Sequence, residues 1–164
     1  MVYHKKTKTK KHTNRKTKKG GRKPNKTMKT RSGKKSLVSF EKEILVKFLE
    51  MLNAVKLFHW KTYSFAIHEA TDKLYESLNK NIDRFMEVLI GKMQNKIDIG
   101  KRTLTLNHTP TLESFKSKII SYKTYLVNLD NHKALKTMSN SDLFSIRDEI
   151  LGDLNLFLYL STFK

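Results

Sequence analysis

From Ser36 onward, large apolar residues recur three or four positions apart, the spacing that lines up one side of a helix. Phe40, Ile44, Phe48, Leu52 and Val55 form the first series, which runs to His59. Ser39 suits a cap, and Glu41 and Glu43 fall in the first turn, where carboxylates complement the helix dipole. A second helix is expected over Ala66 to Met93, with Ile67, Thr71, Leu74, Leu78, Ile82, Phe85 and Leu89 in its seam. Gly91 lies near its expected end, and Met93 and Ile97 are apolar enough to extend it. Thr109-Pro110 reads as the start of a third helix, with proline at the first helical position. Its stripe is Leu112, Phe115, Ile119, Tyr122, Leu126 and Leu129. Ser139 to Asp142 is cap-like, and Leu143, Ile146, Ile150, Leu154 and Phe157 form the inward face of a fourth helix.

Four long amphipathic helices and no period-two run give an all-α fold, a four-helix bundle. The connectivity stays open at this point. The partly apolar link Lys101 to Thr109 suits a crossover between two helix pairs, as ferritin-like bundles use. A simple up-down bundle satisfies the same periodicity.

Charge divides the chain in two. The 164 residues carry a net charge of +19. Met1 to Lys35 hold thirteen Lys and three Arg with no Asp or Glu, hence +16. The rest sets eighteen basic residues against all fifteen acidic ones, hence +3. Residues 1–35 have almost no apolar side chains and include Gly20, Gly21, Pro24 and Gly33, so a disordered tail is expected, with the bundle over 36–164. The tail lacks the apolar stretch of a signal peptide and the amphipathic pattern of a mitochondrial presequence. No run is long and apolar enough for a transmembrane helix. The absence of cysteine excludes a disulfide framework and any Cys-ligated zinc or iron–sulfur site.

A +16 segment neutralises phosphates and releases counterions, which gives salt-sensitive, sequence-independent binding. The candidate contacts are Lys5, Lys6, Lys8, Lys10, Lys11, Arg15, Lys16, Lys18, Lys19, Arg22, Lys23, Lys26, Lys29, Arg31, Lys34 and Lys35. DNA or another polyanion is the expected partner. A nuclear-localisation cluster and a contact with RNA or acidic lipid headgroups are the alternatives. The tail lacks the regular aromatic interleaving of a single-strand stacking platform.

The remaining chemistry lies in the second helix. With about 100° per residue and His68 at zero, Asp72 falls at about 40°, Asp83 at about 60° and Glu87 at about 100°. One imidazole and three carboxylates share a stripe, a donor set suited to a divalent metal. His68/Asp72 and Asp83/Glu87 are fifteen positions apart, or about 22 Å at about 1.5 Å per residue. One chain cannot bring both pairs to one ion. Two antiparallel copies about a two-fold axis can, with two equivalent composite sites per dimer. The same charges also fit a solvated helix face, to which Lys73, Glu76 and Lys80 belong.

His59-Trp60, then Phe65-Ala66-Ile67-His68-Glu69, then Asp72, Asp83 and Glu87 resemble the ferroxidase segment of the Dps proteins, DNA-protecting mini-ferritins. The resemblance covers about thirty residues, and the three intervals from His68 to Asp72, Asp83 and Glu87 are reproduced. It implies an intersubunit site for iron. His59, His68 and Asp72 would come from one chain and Asp83 and Glu87 from its two-fold mate. The histidines would be nitrogen donors, Asp83 and Glu87 the strongest ligands, and Asp72 a ligand or an orienting group. These five residues would carry ferrous iron oxidation by peroxide or dioxygen. Trp60 would pack near the site or serve as a buried interface aromatic. The His59–His68 interval is three residues shorter than the family's and lacks its Gly-Pro, so the two histidines must converge across a tighter turn. Asp98 to Thr109 is also short where the family carries a small helix.

Many Dps proteins tether DNA with shorter Lys-rich tails, and the resemblance implies the same role for residues 1–35. A homodimer or higher homo-oligomer is expected. Lys-, Asn- and Ile-rich composition is similar to that of Dps-like proteins of large DNA viruses, which implies a virion interior or a nucleus as the setting. The alternative to a ferroxidase is a structural DNA-packaging or virion nucleoprotein on the same bundle, with a vestigial metal site.

Overall fold

The computed structural model describes residues 27–94, 96–106 and 108–163. Four helices make up the fold: α1 (Thr27–Lys61), α2 (Phe65–Met93), α3 (Leu112–Asn128) and α4 (Ser141–Leu160). Two single 3-10 turns, Leu129–Asn131 and Leu135–Thr137, join α3 to α4. The all-α four-helix bundle expected from periodicity is the fold of the chain. None of its described helices is long and apolar enough to cross a membrane.

The seams pack as their spacing requires. Phe40, Ile44, Phe48 and Val55 of α1 are fully buried. Met51 takes the buried position between them, and Leu52, expected inward, is only partly covered. Spacings of three and four both keep a helical stripe, and the chain here uses three and then four. Phe48 meets Phe85 of α2 edge-on at 5.2 Å. Phe115 of α3 stacks on Phe58 of α1 at 4.2 Å and meets Phe157 of α4 edge-on at 5.4 Å. One side chain thereby ties three helices together.

Cross-helix contacts settle the connectivity. Along α1 and α2, Phe48 meets Phe85 and Lys56 meets Asp72, so these helices are antiparallel. Asn81 with Asp153, Arg84 with Glu149 and Lys92 with Asp142 set α4 antiparallel to α2. Phe58 with Phe115, Glu50 with Tyr122 and Glu43 with Tyr125 set α3 antiparallel to α1. It follows that α2 and α3, consecutive in sequence, run parallel. Their link must travel the length of the bundle. It does so along α1: Arg102 lies by Lys42 and Lys47, Thr105 N donates to Glu50 Oε1, and His108 reaches Lys61. The bundle is therefore of the crossover kind, broadly consistent with ferritin-like architecture, rather than up-down.

Two boundaries differ from the sequence expectation. Helix α1 begins at Thr27 rather than at Ser39, so 27–35 of the basic segment are helical. Lysine and arginine are good helix formers, and the single Gly33 costs only about 1 kcal/mol. Residues 1–26, the rest of the expected tail, lie outside the described residues. Pro110 is not the first residue of α3. Thr111 caps the helix through a reciprocal pair with Ser114, which places proline one position before the cap. Helix α2 ends at Met93 as its pattern predicts, because Gln94 turns left-handed at φ 52° and returns its N–H to Ile90, and Ile97 packs on the core from the crossover.

Candidate functional site

The α1–α2 turn carries the candidate donors. Ser64 caps α2 by accepting the N–H of Ile67, which fixes where the helix starts and so where His68 points. His59, in the last turn of α1, then faces His68, in the first turn of α2. The rings stack with centroids 3.8 Å apart and planes 27° apart. The tighter turn therefore still brings the two histidines together.

Their hydrogen bonds are reciprocal. His59 Nδ1 lies 3.2 Å from the carbonyl oxygen of His68, and His68 Nδ1 lies 3.2 Å from the carbonyl oxygen of His59. A carbonyl only accepts, so each Nδ1 must carry a proton and donate. Thr71 Oγ1, also 3.2 Å from His59 Nδ1, donates its own proton to the carbonyls of Ile67 and His68 and accepts from the ring. In the neutral state both Nε2 atoms are left as free lone pairs. A fixed Nδ1–H with a free Nε2 is the arrangement that metal-binding histidines use.

Asp72, one turn along α2 from His68, lies beside His59. Its Oδ1 lies 3.7 Å from His59 Nε2 and 3.8 Å from Lys56 Nζ. Two donors each about 2.1 Å from one ion can be at most about 4.2 Å apart, so the His59–Asp72 gap fits a shared cation. Lys56 is the competing cation. Its ammonium also sits 4.7 Å from the Tyr75 ring and 5.9 Å from the Trp60 ring. Burial is asymmetric: His59 is only 7% exposed, and Asp72 is about half open to solvent.

Asp83 and Glu87 lie further along α2, both exposed, and do not join this cluster. Among the described residues no three His, Cys, Asp or Glu are grouped so as to hold a metal ion. Separation along α2 keeps Asp83 and Glu87 away, and His59, His68 and Asp72 do not by themselves make such a group. Trp60 is 69% exposed, not a buried aromatic in the chain by itself. Of the sixteen candidate polyanion contacts, Lys29, Arg31, Lys34 and Lys35 fall within α1. The other twelve lie outside the described residues.

Sequence reasoning missed two participants. The sequence places Thr71 only in the apolar seam, yet it is fully buried with its hydroxyl under His59. Lys56 stands three residues before His59, one turn away on the same face, and that spacing was the available signal. The remaining described histidines have other partners. His132 rests on Phe40 at 4.6 Å and accepts the N–H of Ala134. His108 is met by the Lys61 ammonium at 2.9 Å.

No curated protein and no solved structure matches this chain. A family described as a family of unknown function (DUF5856) has a model that matches residues 59–160. The match begins at His59 and includes His68, Asp72, Asp83 and Glu87, and it leaves out the basic segment. Because it covers more than half of the sequence, the chain belongs to the family of unknown function DUF5856.

Proposed function

We propose that this chain is a structural nucleic-acid-packaging protein on a ferritin-like bundle, with a metal-ligand set that is vestigial or purely structural. The observation that carries the reading is the segregation of charge. Sixteen basic and no acidic residues precede Ser36, and the nearly balanced bundle follows. The last of them lie in α1, the helix that also forms the bundle core, so continuous helix joins that charge to the body. Such a segment binds phosphates by counterion release and carries no base readout. A dimer or larger homo-oligomer multiplies the segments and condenses polynucleotide through multivalent contact. A virion interior or a nucleus is where such a protein works.

Deleting Met1 to Lys26 leaves α1 whole and removes twelve of the sixteen charges. DNA retention at low salt, read by gel shift, should then fall steeply. Retention equal to that of the full chain refutes the reading.

A second reading is a Dps-like, DNA-associated ferroxidase. The approach of His59 to His68 across the shortened turn, and of Asp72 to His59, favours it. Here Asp83 and Glu87 of a two-fold mate would complete the site, and ferrous iron would be the substrate. The chain's own part is to present two Nε2 lone pairs and carboxylates in a fixed arrangement. Ferrous iron oxidation by peroxide should then be slower in Glu87→Ala, and equal rates sink this reading.

A further inference from the structure

The crossover and α1 enclose an open groove of about 300 Å³, lined by Ser39, Lys42, Glu43, Val46, Lys47 and Arg102. Three of these six are cations. The single acid is turned toward α3, where Glu43 Oε1 accepts the Tyr125 hydroxyl at 3.2 Å. Lys47 is held in position, 3.0 Å from Glu50 and 5.7 Å from the Tyr125 ring centroid. Among the described residues Lys42 and Arg102 make no ion pair.

The groove also has a direction. Phe48 is level with Phe85, so the last residue of α2, Met93, is level with Phe40. The part of α1 from Thr27 to Phe40 thus runs on past the end of its neighbour, over about 20 Å at about 1.5 Å per residue. This extension contains Lys29, Arg31, Lys34 and Lys35 and no acidic residue. The groove begins where the extension meets the body. Lys42 and Lys47 are separated by about 7.5 Å along the axis, and both line the groove.

We infer that this groove is a second, body-borne contact for a nucleic-acid phosphate backbone, continuous with the α1 extension. Lys42 and Arg102 neutralise phosphates across its mouth, and Lys47 forms its floor. The inference rests on the nucleic-acid reading above. It makes the bundle a participant in binding, with a fixed track, where the basic segment alone would only tether.

The test uses the full chain and a short double-stranded DNA, with the dissociation constant measured across a salt series. Every phosphate that the protein no longer neutralises lowers the log–log salt slope by about 0.9. Lys42→Ala/Arg102→Ala should lower it by about 1.8 and weaken binding tens of fold at moderate salt. Lys80→Ala/Lys133→Ala removes the same charge from exposed positions outside the groove and should leave the slope unchanged. A groove variant with the wild-type slope overturns the inference and leaves tail-mediated packaging standing. An equal fall in both double variants also overturns it, because net charge alone then explains binding. Tighter binding to vesicles containing anionic lipid than to DNA, abolished by the groove substitutions, overturns the choice of partner. Failure of the unaltered chain to bind DNA at low salt overturns the packaging reading and this inference with it.

Discussion

Replacing Phe115 with alanine tests the architecture most directly. Its ring is fully buried between Phe58, stacked at 4.2 Å, and Phe157, edge-on at 5.4 Å. Loss of a buried phenyl group costs about 3–5 kcal/mol when the cavity cannot collapse. Collapse is hindered here because the neighbours belong to two other helices fixed along their whole lengths. Unfolding entropy near the midpoint is about 2.1 cal/mol/K per residue, so a folded body of about 130 residues has about 0.27 kcal/mol/K. A loss of about 4 kcal/mol then lowers Tm by about 15 °C. Thermal unfolding followed by far-UV circular dichroism and by calorimetry measures it. Phe65→Ala is the matched control: Phe65 is 78% exposed, and its truncation should change stability by no more than about 0.5 kcal/mol. A Phe115→Ala shift below about 4 °C, or an equal shift in the control, refutes the claim that this residue joins the hairpins.

Three further outcomes are expected. Arg147 is buried against Asp130 and Asp148 and lies 4.6 Å from the Phe144 ring. Both carboxylates remain about half exposed, so Arg147→Leu should cost about 1–2 kcal/mol in urea titration rather than the penalty of an orphaned buried charge; no loss at all refutes a structural role for the cluster. Burial raises the Asp153 carboxyl above its ordinary 3.8, with Glu149 adding to the rise and the Asn81 hydrogen bond opposing it. The folded state therefore holds this proton more tightly than the unfolded one. Its contribution to stability is present below pH 3.8 and is lost as pH rises through the raised value. Asp153→Asn should gain on the wild type over that window and hold the gain at neutral pH, a trend that pH-dependent denaturation would expose as wrong if it reversed. Lys56→Gln removes the cation that competes for Asp72, an exposed pair worth about 0.2–1 kcal/mol. Cobalt(II) affinity by absorbance should rise a few-fold, and an unchanged or weaker affinity refutes Asp72 as a ligand.

Periodicity made the inward faces legible because burial follows helical spacing directly. Phe40, Ile44 and Phe48 are examples, and so are Leu143, Ile146 and Ile150. Connectivity was not legible, since a stripe states that a face is covered and not which helix covers it. Only cross-helix contacts such as Phe58 with Phe115 separate a crossover from an up-down chain. The start of α1 was obscured because Lys-rich composition signals both solvated coil and good helix former. At the site, the spacing of His68, Asp72, Asp83 and Glu87 fixed which donors share a helix face. It did not reveal the reciprocal His59–His68 bonds, which depend on a turn bringing main-chain carbonyls to side chains nine residues away. Nor did it reveal Thr71, whose hydroxyl is read as apolar seam until its partners are known.

The crossover divides the chain into two helical hairpins, α1–α2 and α3–α4, each of which alone leaves an apolar seam bare. Their union is an intramolecular association, with its effective concentration set by a tether that spans the bundle from end to end. A tether of that reach lets the two hairpins of one copy close on each other, whereas a link cut shorter than the bundle would leave each hairpin to find its complement in another copy.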